Sequence, residues 1–159
     1  MDVRGAEPQD LEAVADIAAR AWWDTYAPLL KPDTIRAVLA HTYSDRAMHH
    51  RWEDHPMFLV VDPEDPIAFA EAFIEDERIV LGALYVRSGD RGRGAGSMLL
   101  EQVAHIDPSL PVTSDVLLGA RSAEAFYEAH GFVPGETVKS FLYGEPIVER
   151  RWWKEPAAA

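Results

Sequence analysis

Apolar residues recur at helical spacing in the first third of the chain and in short runs or alternations after it. Leu11, Val14, Ile17 and Ala21 predict a helix over 8–26, with Pro8 in its first turn and Asp10 and Glu12 suited to its N-terminal dipole. Ile35, Val38, Leu39 and Thr42 predict a second helix over 33–43. Ser44-Asp45 can cap a third, running to about Trp52. The pattern then changes. Residues 57–61 read as an apolar strand stopped by Asp62-Pro63. Residues 67–74 alternate imperfectly, with Ile67, Phe69 and Phe73 among alanines, and Asp76-Glu77 makes a turn. Residues 78–87, with Ile79, Val80, Leu81, Leu84, Tyr85 and Val86, form the strongest strand. A glycine-rich loop leads into a helix over 97–106, carrying Met98, Leu99, Leu100 and Val103. A strand over 111–118, a helix over 122–130 and a hairpin over 137–154 turning at Gly144-Glu145-Pro146 complete the reading. Trp152 and Trp153 should face opposite sides of the last strand. Helices, then an antiparallel meander, then strand–helix pairs define an α+β, or mixed α/β, fold. One domain over 1–155 is expected, with 156–159 a disordered tail.

Composition narrows the function classes. The chain has 159 residues and a formal charge of -12. Such an acidic balance disfavours a nucleic-acid partner, which needs a basic footprint. It serves solubility and suits a cationic partner such as an amine. The absence of cysteine excludes disulfides, thiolate metal sites and a cysteine nucleophile. With no apolar stretch long enough for a bilayer and no secretory signal read at the N-terminus, the expected setting is the cytoplasm.

The loop Arg91-Gly92-Arg93-Gly94-Ala95-Gly96 carries the most chemistry. Glycines at alternate positions let the backbone adopt positive φ and approach a ligand. The helix that follows points unpaired N–H groups and its positive dipole end at the same place. Such a junction binds phosphate or pyrophosphate, and Arg91 and Arg93 add charged donors. A nucleotide-triphosphate loop would need a lysine, and none lies between Lys31 and Lys139. A dinucleotide fingerprint would need a glycine where Ser97 stands.

These residues resemble the GNAT acetyltransferase superfamily. Leu84-Tyr85-Val86 precedes the loop, and Ser97-Met98-Leu99-Leu100 continues it, as in the family's Gln/Arg-x-x-Gly-x-Gly/Ala motif. Ala123, Phe126, Tyr127, Gly131 and Phe132 match the spacing of a second motif, Asn-x-x-Ala-x-x-Phe-Tyr-x-x-x-Gly-Phe. Ala21-Trp22-Trp23-Asp24-Thr25-Tyr26 is similar to the first helix of many small members. Ala120 stands where the second motif has asparagine. The resemblance implies a GNAT-like acyl-CoA N-acyltransferase fold with a central, mostly antiparallel sheet and flanking helices. It implies acetyl-CoA as co-substrate and no metal, held by Leu84, Tyr85, Val86, Arg91, Gly92, Arg93, Gly94, Ala95, Gly96 and Ser97. It implies a small-molecule or peptide amine as acceptor and no membrane partner, and it leaves a homodimer open. Tyr127 takes the place of the family's general acid.

Transfer to an amine requires a polarised carbonyl, a neutral amine and a protonated leaving thiolate. An alkylammonium of pKa about 10.4 is neutral in roughly one molecule in a few thousand at pH 7. A base therefore helps; Glu71 and Glu75 share one face of the predicted strand, and Glu71, flanked by Ala70 and Ala72, is the preferred candidate. Trp22, Trp23, Tyr26 and Trp52 are candidates for an acceptor wall, although aromatics at helical spacing are more often core. His49, His50 and His55 sit among charges on a helix end, which is poor metal-site geometry. His130 follows the helix of Tyr127 and could line the site, but reads first as a surface helix end. A non-catalytic acyl-CoA-binding module of the same fold, and a nucleotide-binding domain of another fold, are the competing readings.

Overall fold

The computed structural model describes residues 1–157, so the end of the expected tail, 158–159, lies outside the described residues. Seven strands form one sheet: β1 (Asp2–Gly5), β2 (Met57–Val61), β3 (Pro66–Glu75), β4 (Arg78–Val86), β5 (Val112–Leu117), β6 (Val133–Leu142) and β7 (Glu145–Lys154). Their order is β1-β2-β3-β4-β5-β7-β6. Every neighbouring pair is antiparallel except β4 and β5. Five α-helices flank the sheet: α1 (Leu11–Tyr26), α2 (Pro32–Ala37), α3 (Asp45–Asp54), α4 (Ala95–Ala104) and α5 (Arg121–Ala129). Among the described residues no helix is long and apolar enough to cross a membrane. The mostly antiparallel α+β sheet with flanking helices is the expected architecture.

The uneven alternation of β3 has a packing reason. Ala68, Ala70 and Ala72 face a core that includes Leu99 and Val103 of α4, where small side chains let the helix approach the sheet. Phe69 points to the other face, into a second core with Val14, Ile17 and Ala18 of α1 and Met48 of α3. The protein thus has three layers, with the sheet between two helical ones. Trp152 is buried in the first core, whereas Trp153 is half-buried and donates from Nε1 to Glu155.

Local signals act largely as expected. The Ser44 hydroxyl accepts from the Ala47 N–H and caps α3. The helix predicted over 33–43 divides, because α2 loosens into a π turn over Val38–Thr42. The predicted 8–26 helix opens with a short 3-10 turn, Pro8–Asp10, whose Asp10 carboxylate accepts from Arg4 and from the Glu7 N–H. Strand β1 was not foreseen, and β6 begins at Val133, four residues before the predicted hairpin.

Two irregularities shape the site. Glu71 pairs with Ala83 but Ala72 pairs with Leu81, so β4 carries one extra residue, Gly82, as a bulge. Beyond it β4 and β5 separate. Their parallel ladder is confined to Ile79↔Val112 and Val80↔Thr113. From Leu81 to Val86 the β4 edge that faces β5 has no strand partner among the described residues.

Candidate active site

The gap between β4 and β5 is the mouth of a cleft of about 430 Å³. Leu84, Tyr85 and Val86 form one wall and Ser114, Asp115 and Val116 of β5 the opposite one. Unpaired β4 backbone facing a cavity is a ready set of donors and acceptors for an extended ligand.

One end of the cleft is closed by the glycine loop. Gly92 and Gly94 have φ of 77° and 91°, so both positions need glycine. Nothing lies within 4 Å of where a Cβ on either would stand, which leaves the surface open to a ligand. Gly94 caps α4, whose first N–H groups point into the loop. Gly96 has a different reason: a Cβ there would lie 2.7 Å from Cε1 of Phe126, so its absence lets α4 and α5 meet. Arg91, Gly92, Gly94, Ala95, Gly96 and Ser97 all line the cleft. Arg93 does not. Its guanidinium donates to Asp90 (2.7 Å) and to Asp62 (2.6 Å), which ties the loop to the end of β2. Asp90 also accepts from Arg87 at 2.7 Å. These two arginines, Arg87 foremost, hold the Asp90 carboxyl below its ordinary range. Asp90 thus organises the loop, a role that its place in a short polar stretch did not reveal.

Tyr127 is buried at the cleft wall, 6% exposed. Burial pushes its phenol up to about 12, partly offset by the Ser114 hydroxyl. Its ring meets Phe126 and Phe132 edge to face, with centroids 5.3 and 5.1 Å away. His130 belongs to the cleft as well, and is not the simple surface helix end expected. Its Nδ1 lies 2.7 Å from the Phe126 carbonyl, which can only accept, so Nδ1 carries the hydrogen. In the neutral ring Nε2 is then an acceptor for the Ser97 hydroxyl, 2.7 Å away.

Of the aromatic candidates only Tyr26 lines the cleft, beside Ala21 and Thr25 of the same helix. Its hydroxyl is 3.4 Å from that of Tyr85. Burial raises both phenols, that of Tyr85 well above the usual value. Trp22 turns inward behind Tyr26, with ring centroids 4.5 Å apart. Trp23 turns away and lies under the Arg36 guanidinium. Adjacent helical residues point about 100° apart, so the two cannot share a wall.

Glu71 lies outside the cleft lining, against the expectation of a base. It is buried, and Arg51 donates to its Oε1 from Nε (2.9 Å) and Nη2 (2.5 Å). His55 Nδ1 is 2.8 Å from Oε2. Burial works to raise its pKa, but Arg51 and His55 together keep it below the ordinary value. This geometry makes Glu71 an anchor between β3 and α3. His49 and His50 are exposed, and the described residues contain no grouping fit for a metal ion.

Ala120, at the asparagine position, is buried in the core. The adjacent Gly119 N–H donates instead to Glu124 Oε1 at 3.1 Å, and the Ala120 carbonyl accepts from the Glu124 N–H. The Glu124 side chain thus ties the turn that leads into α5, whose first N–H groups have no side-chain cap.

A sheet split between its fourth and fifth strands, with a glycine-lined helix N-terminus at the split, defines an acyl-CoA N-acyltransferase architecture. Residues 17–132 match the acetyltransferase (GNAT) family, and the chain belongs to it. The fold is similar to that of the PaiA N-acetyltransferase of Thermoplasma acidophilum in complex with coenzyme A, with a TM-score of 0.81 and 20% identity over 94% of this chain and 96% of that one. It is similar to a GCN5-related N-acetyltransferase from Rhodopseudomonas palustris, also at a TM-score of 0.81 and 20% identity, over 97% of this chain and 94% of that one. A Corynebacterium glutamicum structure described as histone acetyltransferase HPA2 and related acetyltransferase matches at a TM-score of 0.73 and 20% identity, over 99% and 97%. No match is found among curated proteins. The chain is an acetyltransferase by family.

Proposed function

We infer that this acetyltransferase moves the acetyl group of acetyl-CoA directly to a primary amine of a small molecule or peptide. The unpaired β4 edge facing Tyr127 across one cleft is the observation that carries this reading. The residues present fit the co-substrate. Gly92, Gly94 and the first N–H groups of α4, with the guanidinium of Arg91, which has no ion-pair partner among the described residues, suit a pyrophosphate. The free backbone between Leu81 and Val86 suits an extended amide arm, and N–H groups there can donate to a carbonyl oxygen as charge develops on it. Acetyl-CoA, when bound, supplies an activated acyl group and a thiol leaving group.

Tyr127 is the acid of the reaction. Held at about 12, it is protonated throughout the neutral range. It is also a weaker acid than a free phenol. It therefore donates a hydrogen bond to the departing sulfur and releases its proton as another arrives from the amine. Direct transfer fits a chain that has no cysteine to carry the acyl group. Ala120, in place of the motif's asparagine, is a buried core contact.

A panel of primary amines assayed for thiol release from acetyl-CoA tests the reading. Amine-dependent release supports it. Tight acetyl-CoA binding with no release across the panel favours the non-catalytic module.

A further inference from the structure

One carboxylate next to the cleft, outside the residues that line it, has no partner among the described residues. On β5 and β7, Asp115 lies opposite Arg151 and Leu117 opposite Glu149, so these four residues share one sheet face. Asp115 lines the cleft, but its charge is matched by a bidentate pair with Arg151 at 2.8 and 3.0 Å. Glu149 is half-buried and makes no hydrogen bond or ion pair among the described residues. Tyr26, the last residue of α1, lies near enough to feel its charge. The following loop folds over this region, with the Lys31 N–H donating to Glu145 at the start of β7 and Leu29 lying 3.0 Å from where a Cβ on Gly119 would stand. Glu149 also bears on the cleft itself. Its charge adds to the burial that raises the Tyr26 phenol. Burial above all, and then the charge of Asp115, raises Glu149 in turn, with Arg151 offsetting part. A carboxylate desolvated beside another carboxylate and left unpaired is costly to the fold alone and is relieved by a cation.

Distance decides which cation. The reacting nitrogen must reach the β4 edge, where the carbonyl is held. Glu149 stands one strand beyond β5, across the widened gap, and so on the order of 10 Å from that edge at the 4.8 Å spacing of strands. It is too far to hold the attacking nitrogen.

We propose that Glu149 binds a second positive charge on the acceptor, so that the preferred substrate is an amine carrying another cationic group at the far end of a short chain. This rests on the acetyltransferase reading above and deepens it. Tyr26 and Tyr85 then bound the apolar spacer between the two charges, and the Asp115–Arg151 pair closes the neighbouring position to a further cation.

The experiment compares hexylamine with the straight six-carbon diamine in steady-state acetyl transfer by the full chain and by Glu149→Gln. Wild type should favour the diamine by about tenfold in kcat/KM, the worth of one charge-assisted contact. Glu149→Gln should lose that preference through a raised KM for the diamine, with kcat, hexylamine turnover and the KM for acetyl-CoA changed less than about twofold. If Glu149→Gln does not fold, the wild-type preference for the diamine should still shrink as salt is raised. Equal use of both amines by wild type, a preference that survives in Glu149→Gln, or one indifferent to salt overturns the proposal while acetyl transfer itself stands. Failure to acetylate any amine overturns the acetyltransferase reading and the proposal with it.

Discussion

The ring of Phe126 occupies the space a side chain at Gly96 would need, with Cε1 and Cζ 2.7 and 2.9 Å from the Cβ position. The third glycine of the loop is therefore a helix-packing residue, and the pairing fixes where Tyr127, the next residue along, stands. Gly96→Ala should push the Phe126 ring out of place. Overpacking costs about 1–3 kcal/mol, of which up to about 1 is recovered as helix propensity. A net loss of about 1–2 kcal/mol in denaturant unfolding is expected. Acetyl-CoA affinity should fall in calorimetry, because the same helix end forms the cradle.

Arg91 and Arg93 should separate cleanly. Arg91 lines the cleft with no ion-pair partner among the described residues, whereas Arg93 is committed to Asp90 and Asp62. Arg91→Ala should weaken acetyl-CoA binding by about tenfold with an unchanged melting temperature. Arg93→Ala should lower the melting temperature and affect binding less. Calorimetry and a thermal melt on the two variants decide between these roles.

Glu71 should prove structural. Glu71→Ala leaves Arg51 buried without its partner and should cost about 3 kcal/mol. The pH dependence has a definite sign. A carboxyl whose folded pKa lies below its ordinary 4.5 contributes stability above that pH, and the contribution is lost as pH falls through the folded value. Glu71→Gln should therefore show a shallower loss of stability on acidification than wild type. Its kcat–pH profile should keep the wild-type shape. A missing ionisation in that profile would return Glu71 to the role of base.

Much of the candidate site was legible because its signals are local. A strong apolar strand, alternate glycines and a helix start mark the loop without any knowledge of the fold, and Phe126-Tyr127 four residues before Gly131 marks the helix facing it. The strands and helices with long apolar patterns were equally readable. What stayed hidden depends on partners distant in sequence. Glu71 looked desolvated and free because Arg51 and His55 reach it from another element. The widening between β4 and β5 follows from a single bulge at Gly82, which an apolar run conceals. Strand β1 has four residues, two of them charged and one glycine, too few to show alternation. Glu149 lies in a charged stretch of the hairpin and is half-buried like Val148 and Arg150 beside it, so only its register with β5 and its lack of a partner among the described residues set it apart.

Tyr127→Phe tests the central assignment most directly, through acetyl-CoA affinity and amine-dependent thiol release measured on the same preparation. The cleft predicts nearly unchanged affinity and a kcat lower by about 10²–10⁴-fold. In wild type kcat should not decline near pH 10 through ionisation of this phenol, which burial holds at about 12. Wild-type turnover in Tyr127→Phe, with affinity intact, would contradict the role of Tyr127 as the acid.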